Sequence, residues 1–137
     1  MRTVAVVGFS GAGKTRLVVR LIGELKGRGL RVAAVKRCPH GFTLDMEGKD
    51  THDFDRAGAD GVAMVSPEGW AALRRAGTAE APALAARLFP EADVVLIEGG
   101  KGASGVPKIE ALRSGVSETP ACRPEELLAV VTDGPRP

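Results

Sequence analysis

Thr3-Val4-Ala5-Val6-Val7 runs directly into Gly8-Phe9-Ser10-Gly11-Ala12-Gly13-Lys14-Thr15, and how this stretch is read decides the fold. A continuous, largely β-branched run of this length is the pattern of a strand buried on both faces. The residues behind it match G-x-x-x-x-G-K-[ST] in full. Each fixed residue type has a physical reason. Glycines let the backbone curl until successive N–H groups point into one concavity, and the lysine adds a mobile charge for the β- and γ-phosphates. The threonine places a hydroxyl on Mg²⁺, and the helix that follows directs its positive dipole end at the anion. That helix is expected from Lys14 to about Gly27, where Leu17, Val18, Leu21, Ile22 and Leu25 recur at helical spacing opposite Arg16, Arg20, Glu24 and Arg28. Strand, glycine loop and helix therefore stand in the order a phosphate site requires, with Ser10, Gly11, Ala12, Gly13, Lys14, Thr15 and Arg16 as its residues.

Outward from this stretch the sequence alternates. Val32 to Val35 reads as a second buried strand, Arg37 to Lys49 as a long polar loop, and Asp50 to Ala59 as a short helix. Gly61 to Val65 is a third strand, and Gly69 to Arg75 fits a strand or a helix. Thr78 to Phe89 is a helix stopped by Pro90, Ala92 to Ile97 a fourth strand, Lys108 to Leu112 a fifth and Leu127 to Val131 a sixth. Alternation of this kind predicts one α/β domain over residues 1–137, a three-layer P-loop NTPase-type fold whose mostly parallel sheet is flanked by helices. Ligands of such sheets bind at the carboxyl ends of the strands.

Composition narrows the classes. The 19 Lys and Arg against 17 Asp and Glu leave a net charge of only +2, too little for the basic stripe that non-specific nucleic-acid binding needs. No apolar run approaches the length of a membrane span, and Val4 to Val7 is cut short at Gly8. Two cysteines, Cys38 and Cys122, are too few for a disulfide framework, so a reducing cytoplasm is the expected compartment.

A phosphate loop needs an acidic partner for its metal. Val94-Val95-Leu96-Ile97-Glu98 is an apolar strand ending in a carboxylate, followed by Gly99-Gly100-Lys101-Gly102. Glu98 is therefore expected to hold Mg²⁺ with Thr15 and, with Lys14, to form the chemical centre. Asp50 reads equally as the cap of its helix or as a second Mg²⁺ ligand. Lys36, at the end of the second strand, would meet a phosphate or an acidic substrate. Cys38, His40 and His52 fall short of the four ligands of a structural zinc site and read as loop residues. Thr132-Asp133-Gly134 reads as a turn, with contact to a nucleotide base as the alternative.

Three segments together, GFSGAGKT at 8–15, VAAVKRCPHGFTLD with GKDTHDFDRAGAD across 32–60, and VVLIEGGKGASGVPKIE at 94–110, resemble the molybdopterin-guanine dinucleotide biosynthesis protein B (MobB) family over nearly the whole chain. The resemblance implies GTP as the nucleotide with Mg²⁺, slow hydrolysis, and an accessory role beside the guanylyltransferase that joins GMP to molybdopterin. It also implies a homodimer. Carried over by position, Gly11 to Thr15 form the phosphate site and Glu98 with Asp50 the metal side. Lys36, His40, Lys49, Lys101 and Lys108 become candidates for the GTP or anionic molybdopterin surface. Where family members carry K-H-x-H-H, this chain has Lys36-Arg37-Cys38-Pro39-His40, keeping the lysine and only the last histidine. Relatives also continue past the strand that ends near Asp133, so either that peripheral element is dispensable or a partner covers the exposed edge.

The guanine preference rests on resemblance alone, because the sequence has no N-K-x-D motif. Two other classes share the same framework, a small-molecule phosphoryl-transfer enzyme like dethiobiotin synthetase and a metal-delivery GTPase using Cys38, His40 and His52. The chain contains no Gln and no Asn to orient an attacking water, so intrinsic hydrolysis is expected to be slow in any of them.

Overall fold

The computed structural model describes residues 1–41, 50–74 and 80–134, apart from the side chains of Asp50 and Asp55. In chain order the elements are β1 (Arg2–Val7), α1 (Lys14–Gly27), β2 (Val32–Lys36), α2 (Asp50–Arg56), β3 (Gly61–Ser66), β4 (Gly69–Arg74), α3 (Ala81–Leu88), β5 (Val94–Glu98), β6 (Lys108–Ala111) and β7 (Leu127–Val131), with a 3-10 turn at Pro124–Glu126 before the last. They form two compact units, residues 1–37 with 80–137, and residues 38–79.

The larger unit is a five-stranded parallel sheet in the order β2-β5-β1-β6-β7. Side chains alternate across it with the period of two that a strand imposes. Val4, Val6, Val32, Val94 and Leu96 turn to one face and pack against Leu17, Val18, Leu21, Ile22 and Leu25 of α1. Ala33, Val35, Val95 and Ile97, one residue out of step, turn to the other face and meet Ala81 and Ala85 of α3 with Phe89 and Ala92. The apolar runs of the central strands β1 and β5 are thus buried on both sides, as a parallel sheet between two helical layers demands, whereas β7 at the sheet's edge leaves Leu128 and Val131 exposed.

α3 begins later than its apolar pattern suggests. Glu80 is extended (φ −64°, ψ 130°), and a proline stands in the first helical turn, where its missing N–H costs nothing. Of the remaining expected positions, Thr78 and Ala79 lie outside the described residues, and Phe89 leaves the helix before Pro90.

The smaller unit differs from the expected alternation. Gly61–Ser66 does not join the parallel sheet; it pairs antiparallel with β4, from Gly61 opposite Arg74 to Ser66 opposite Gly69. The reason is the connection. Only Pro67 and Glu68 separate the two strands, and so short a link closes a hairpin, whereas a parallel return needs a crossover of a dozen residues or more. The ambiguous stretch after Gly69 is therefore a strand. α2 stops at Arg56, and the turn behind it carries Gly58 at φ 95° with Ala59 N–H donating to the Phe54 carbonyl at 3.3 Å, a left-handed helix ending that glycine takes without strain.

Two polar arrangements hold the larger unit. At its amino edge Asp93 takes the Arg31 backbone N–H (2.8 Å) and Nε (3.1 Å) on Oδ2 and Nη2 (2.8 Å) on Oδ1. This ties the start of β2 to the start of β5, and the guanidinium holds the Asp93 carboxyl well below the usual carboxylate range. Inside, Glu110 of β6 is fully buried and accepts the backbone N–H groups of Ala121 (2.9 Å) and Cys122 (3.0 Å). Two residues earlier on the same face, the ammonium of Lys108 is 1% exposed and bonds Glu126 Oε1 at 2.5 Å, which lowers the Glu126 pKa. Burial, with the Glu110 charge beside it, pushes the Cys122 thiol up.

Two outcomes follow from these contacts. The depressed carboxyl of Asp93 contributes stability that is complete above the unfolded-state pKa near 4 and is lost as pH falls toward the folded value. Thermal unfolding of Asp93→Asn should therefore lie below wild type at pH 7, with the gap closing as pH drops below about 4; a gap of constant size down to pH 2 would contradict it. Lys108→Met takes the buried ammonium from Glu126, which keeps only the more distant Arg123 Nε at 3.4 Å, and should lower the midpoint of urea unfolding. A variant with the wild-type midpoint would show that the Lys108–Glu126 pair is dispensable.

Candidate phosphate-binding site

The loop that leaves β1 is shaped by its neighbour. Gly8 has φ 141°, and a Cβ there would stand 2.5 Å from the Ala111 carbonyl oxygen at the end of β6, so only glycine passes. Gly11 (φ 80°) and Gly13 (φ 89°) complete the curl, and Gly13 opens α1 with its carbonyl accepting from Leu17 N–H at 3.0 Å. The free N–H groups of the first helical turn thus face the same concavity as the loop.

Lys14 bends back over the loop and donates Nζ to the Phe9 carbonyl at 2.8 Å. The exposed Phe9 ring carries the Lys101 ammonium 3.6 Å from its centroid, a cation–π contact that brings the Gly99–Gly102 segment to the mouth of the loop. Across from Lys14, Thr15 Oγ1 lies 3.0 Å from both carboxylate oxygens of Glu98. Parallel pairing produces this meeting. β5 lies beside β1 with Val6 opposite Glu98, so the strand's terminal carboxylate arrives level with the loop that begins two residues later. Glu98 is only 12% exposed, and a cation, Lys36 Nζ, stands 3.6 Å from it, delivered by the β2–β5 register in which Lys36 is its direct partner. One hydroxyl and one carboxylate at a strand end are hard oxygen donors of the kind that suit Mg²⁺.

The structure thus brings together Ser10, Gly11, Ala12, Gly13, Lys14, Thr15, Lys36, Glu98 and Lys101. Lys108 is not among them. It sits opposite Ala5, below the carboxyl end of the sheet, buried against Glu126, because a lysine in the first position of an interior strand turns into the protein here and finds an acid there. His40 belongs to the smaller unit, Lys49 lies outside the described residues, and Asp50 opens α2 with its side chain outside the description. Among the described residues no group of three or more His, Cys, Asp or Glu side chains is placed to share a metal ion, and no helix is long and apolar enough to cross a membrane.

Arg113 is a site residue that sequence reading does not find. Its Nη1 donates to the Gly11 carbonyl at 3.3 Å, and it borders a cavity of about 310 Å³ that also reaches Gly13, Arg16 and Asp133. The available signal was its place just past the end of β6, the strand that packs beside the loop.

Comparison with known proteins agrees with this architecture. Residues 3–133 match the family model described as molybdopterin guanine dinucleotide synthesis protein B. The molybdopterin-guanine dinucleotide biosynthesis adapter protein of Haemophilus influenzae is 34% identical over 134 residues, covering 96% of this chain and 75% of that one. The Escherichia coli adapter protein is 33% identical over 142 residues, with 96% and 78% covered. Among solved structures, Bacillus subtilis MobB superposes with a TM-score of 0.73 at 26% identity, covering 98% of this chain and 82% of that one. A molybdopterin-guanine biosynthesis protein B structure gives 0.69 at 30% identity, with 97% and 82% covered. With the phosphate loop, the β5 carboxylate and the sheet order all accounted for, the chain belongs to the MobB family.

Proposed function

We propose that this protein binds GTP with Mg²⁺ at the Gly8–Thr15 loop and serves as an adapter in molybdopterin-guanine dinucleotide biosynthesis, assisting the guanylyltransferase that attaches GMP to molybdopterin. The observation that carries the nucleotide reading is the Thr15–Glu98 contact at the mouth of the loop, since hydroxyl and carboxylate meet where a nucleotide's metal is held. The pathway comes from the adapter proteins to which the chain is similar.

In this reading the loop N–H groups and the first turn of α1 bind the β- and γ-phosphates. Lys14 leaves the Phe9 carbonyl to neutralise them, a short swing of a long side chain. Thr15 and Glu98 hold Mg²⁺, which when bound neutralises phosphate charge. Lys36, released from Glu98, and Lys101, at the Phe9 ring, face the anionic ligands. Turnover is slow, because no Gln or Asn exists in the chain to orient water, and the γ-phosphate acts chiefly by ordering the segments around it. A second copy of the chain fits the smaller unit, whose hairpin exposes Val65 (84%) and its cross-strand partner Trp70 (63%) on one face and Met64 on the other.

Lys14→Ala should abolish measurable GTP binding by isothermal titration while the circular dichroism spectrum and unfolding midpoint stay at wild-type values, since among the described residues the exposed wild-type ammonium bonds a loop carbonyl alone. GTP affinity that survives the change would refute the site.

A further inference from the structure

A guanine-selective protein needs a group that tells guanine from adenine, and this chain has neither an N-K-x-D motif nor any asparagine. Topology indicates where such a group has to be. Glu98 reaches the loop from β5, on one flank of β1, while β6 and β7 lie on the other. With the metal and the terminal phosphates on the β5 flank, a nucleotide lying across the start of α1 leads its nucleoside toward β6 and β7. The cavity of about 310 Å³ is on that flank. Leu17, Leu112 and Val131 give it apolar walls, three arginines border it, and Asp133 supplies its carboxylate. An apolar hollow with a few convergent polar groups is the usual form of a small-ligand site.

Asp133 is held for a purpose beyond its own turn. Its Oδ1 accepts the Ser114 N–H at 2.9 Å, which joins the loop after β7 to the loop after β6, and its Oδ2 stands 3.9 Å from Arg113 Nε. Arg113 in turn bonds the Gly11 carbonyl of the phosphate loop. The turn itself is fixed, because Thr132 Oγ1 accepts the Gly134 N–H at 3.0 Å and a Cβ at Gly134 would come within 2.6 Å of Ser114 Oγ. A carboxylate with unfilled acceptor positions is therefore anchored at the cavity's edge and tied through one arginine to the phosphate-binding backbone.

We propose that Asp133 is the base-recognition residue, accepting from a purine that presents two adjacent N–H donors, the N1–H and 2-amino groups of guanine. This rests on the GTP reading above. Adenine offers an acceptor at N1 and no 2-amino group, so it would set a lone pair against the carboxylate, which costs more than a missing contact. Arg16, Arg20 and Arg113 provide guanidinium planes on which a base can stack.

The test is isothermal titration of wild type and Asp133→Asn with GTP, ITP, XTP, ATP and inorganic tripolyphosphate. Wild type should prefer GTP over ITP, which lacks the 2-amino group, by about tenfold, and over ATP by more. Asp133→Asn should lose about tenfold or more in GTP affinity and gain affinity for XTP, whose 2-oxo group accepts from the new amide, while tripolyphosphate affinity stays within about twofold. Unchanged GTP affinity in the variant overturns the assignment, and so does a wild type that does not separate GTP, ITP and ATP. The second result leaves the phosphate site standing, whereas a wild type that binds none of the five ligands overturns both. Should Asp133→Asn fail to fold, the wild-type ligand series decides alone.

Discussion

Both oxygens of the Glu98 carboxylate stand within hydrogen-bonding distance of the Thr15 hydroxyl, and the rest of the site depends on that meeting. It joins residues more than eighty positions apart, which requires β5 to lie beside β1, parallel and in one particular register. Any slip by a residue would turn Glu98 to the other face of the sheet and leave the loop without its acid. The register is secured from both sides. Leu96 packs beneath α1, Val95 and Ile97 pack against α3, and Asp93 clamps Arg31 at the opposite end of the strand. The hydrophobic layers thus position a polar contact that they do not themselves touch.

The same registers set the electrostatics at the mouth of the loop. Lys36 reaches Glu98 because it is that residue's direct partner on β2, and Lys101 reaches Phe9 because the glycine segment after Glu98 folds back over the loop. Lys14 rests on a carbonyl of its own loop. Lys14 and Lys101 are held by weak, exposed partners that an incoming anion can replace at little cost, since exposed contacts of this kind contribute about 1 kcal/mol or less, and Lys36 is itself exposed and stands 3.6 Å from Glu98. A near-neutral protein can in this way present concentrated positive charge at one point, which suits a phosphorylated ligand better than a long anionic polymer.

The parts of this design legible in the sequence are those whose causes are local. The glycines and lysine of the loop, the apolar stripe of α1 and the runs that become β1 and β5 each follow from neighbouring residues, and Glu98 stood out because it closes an apolar strand. What stayed hidden depends on distant partners. Lys108 reads as a surface cation until its partner Glu126, eighteen residues on, is seen beside its buried ammonium. Gly61 to Val65 reads as one more strand of the main sheet because its side-chain pattern does not record which strand it pairs with; the two-residue link to β4 does. Arg113 carries no local signature, and Asp133 carries only that of a turn with base contact as its alternative; which reading applies depends on β6 and β7 ending beside the phosphate loop.

Whether Thr15 and Glu98 form the metal side of a nucleotide site is tested most directly by the metal dependence of GTP binding by the unmodified protein. Isothermal titration in excess Mg²⁺ and again in excess chelator should show GTP affinity falling by about tenfold or more when the metal is removed, as bare triphosphate charge meets the Glu98 carboxylate. Equal affinity under both conditions, or none in either, would contradict the account.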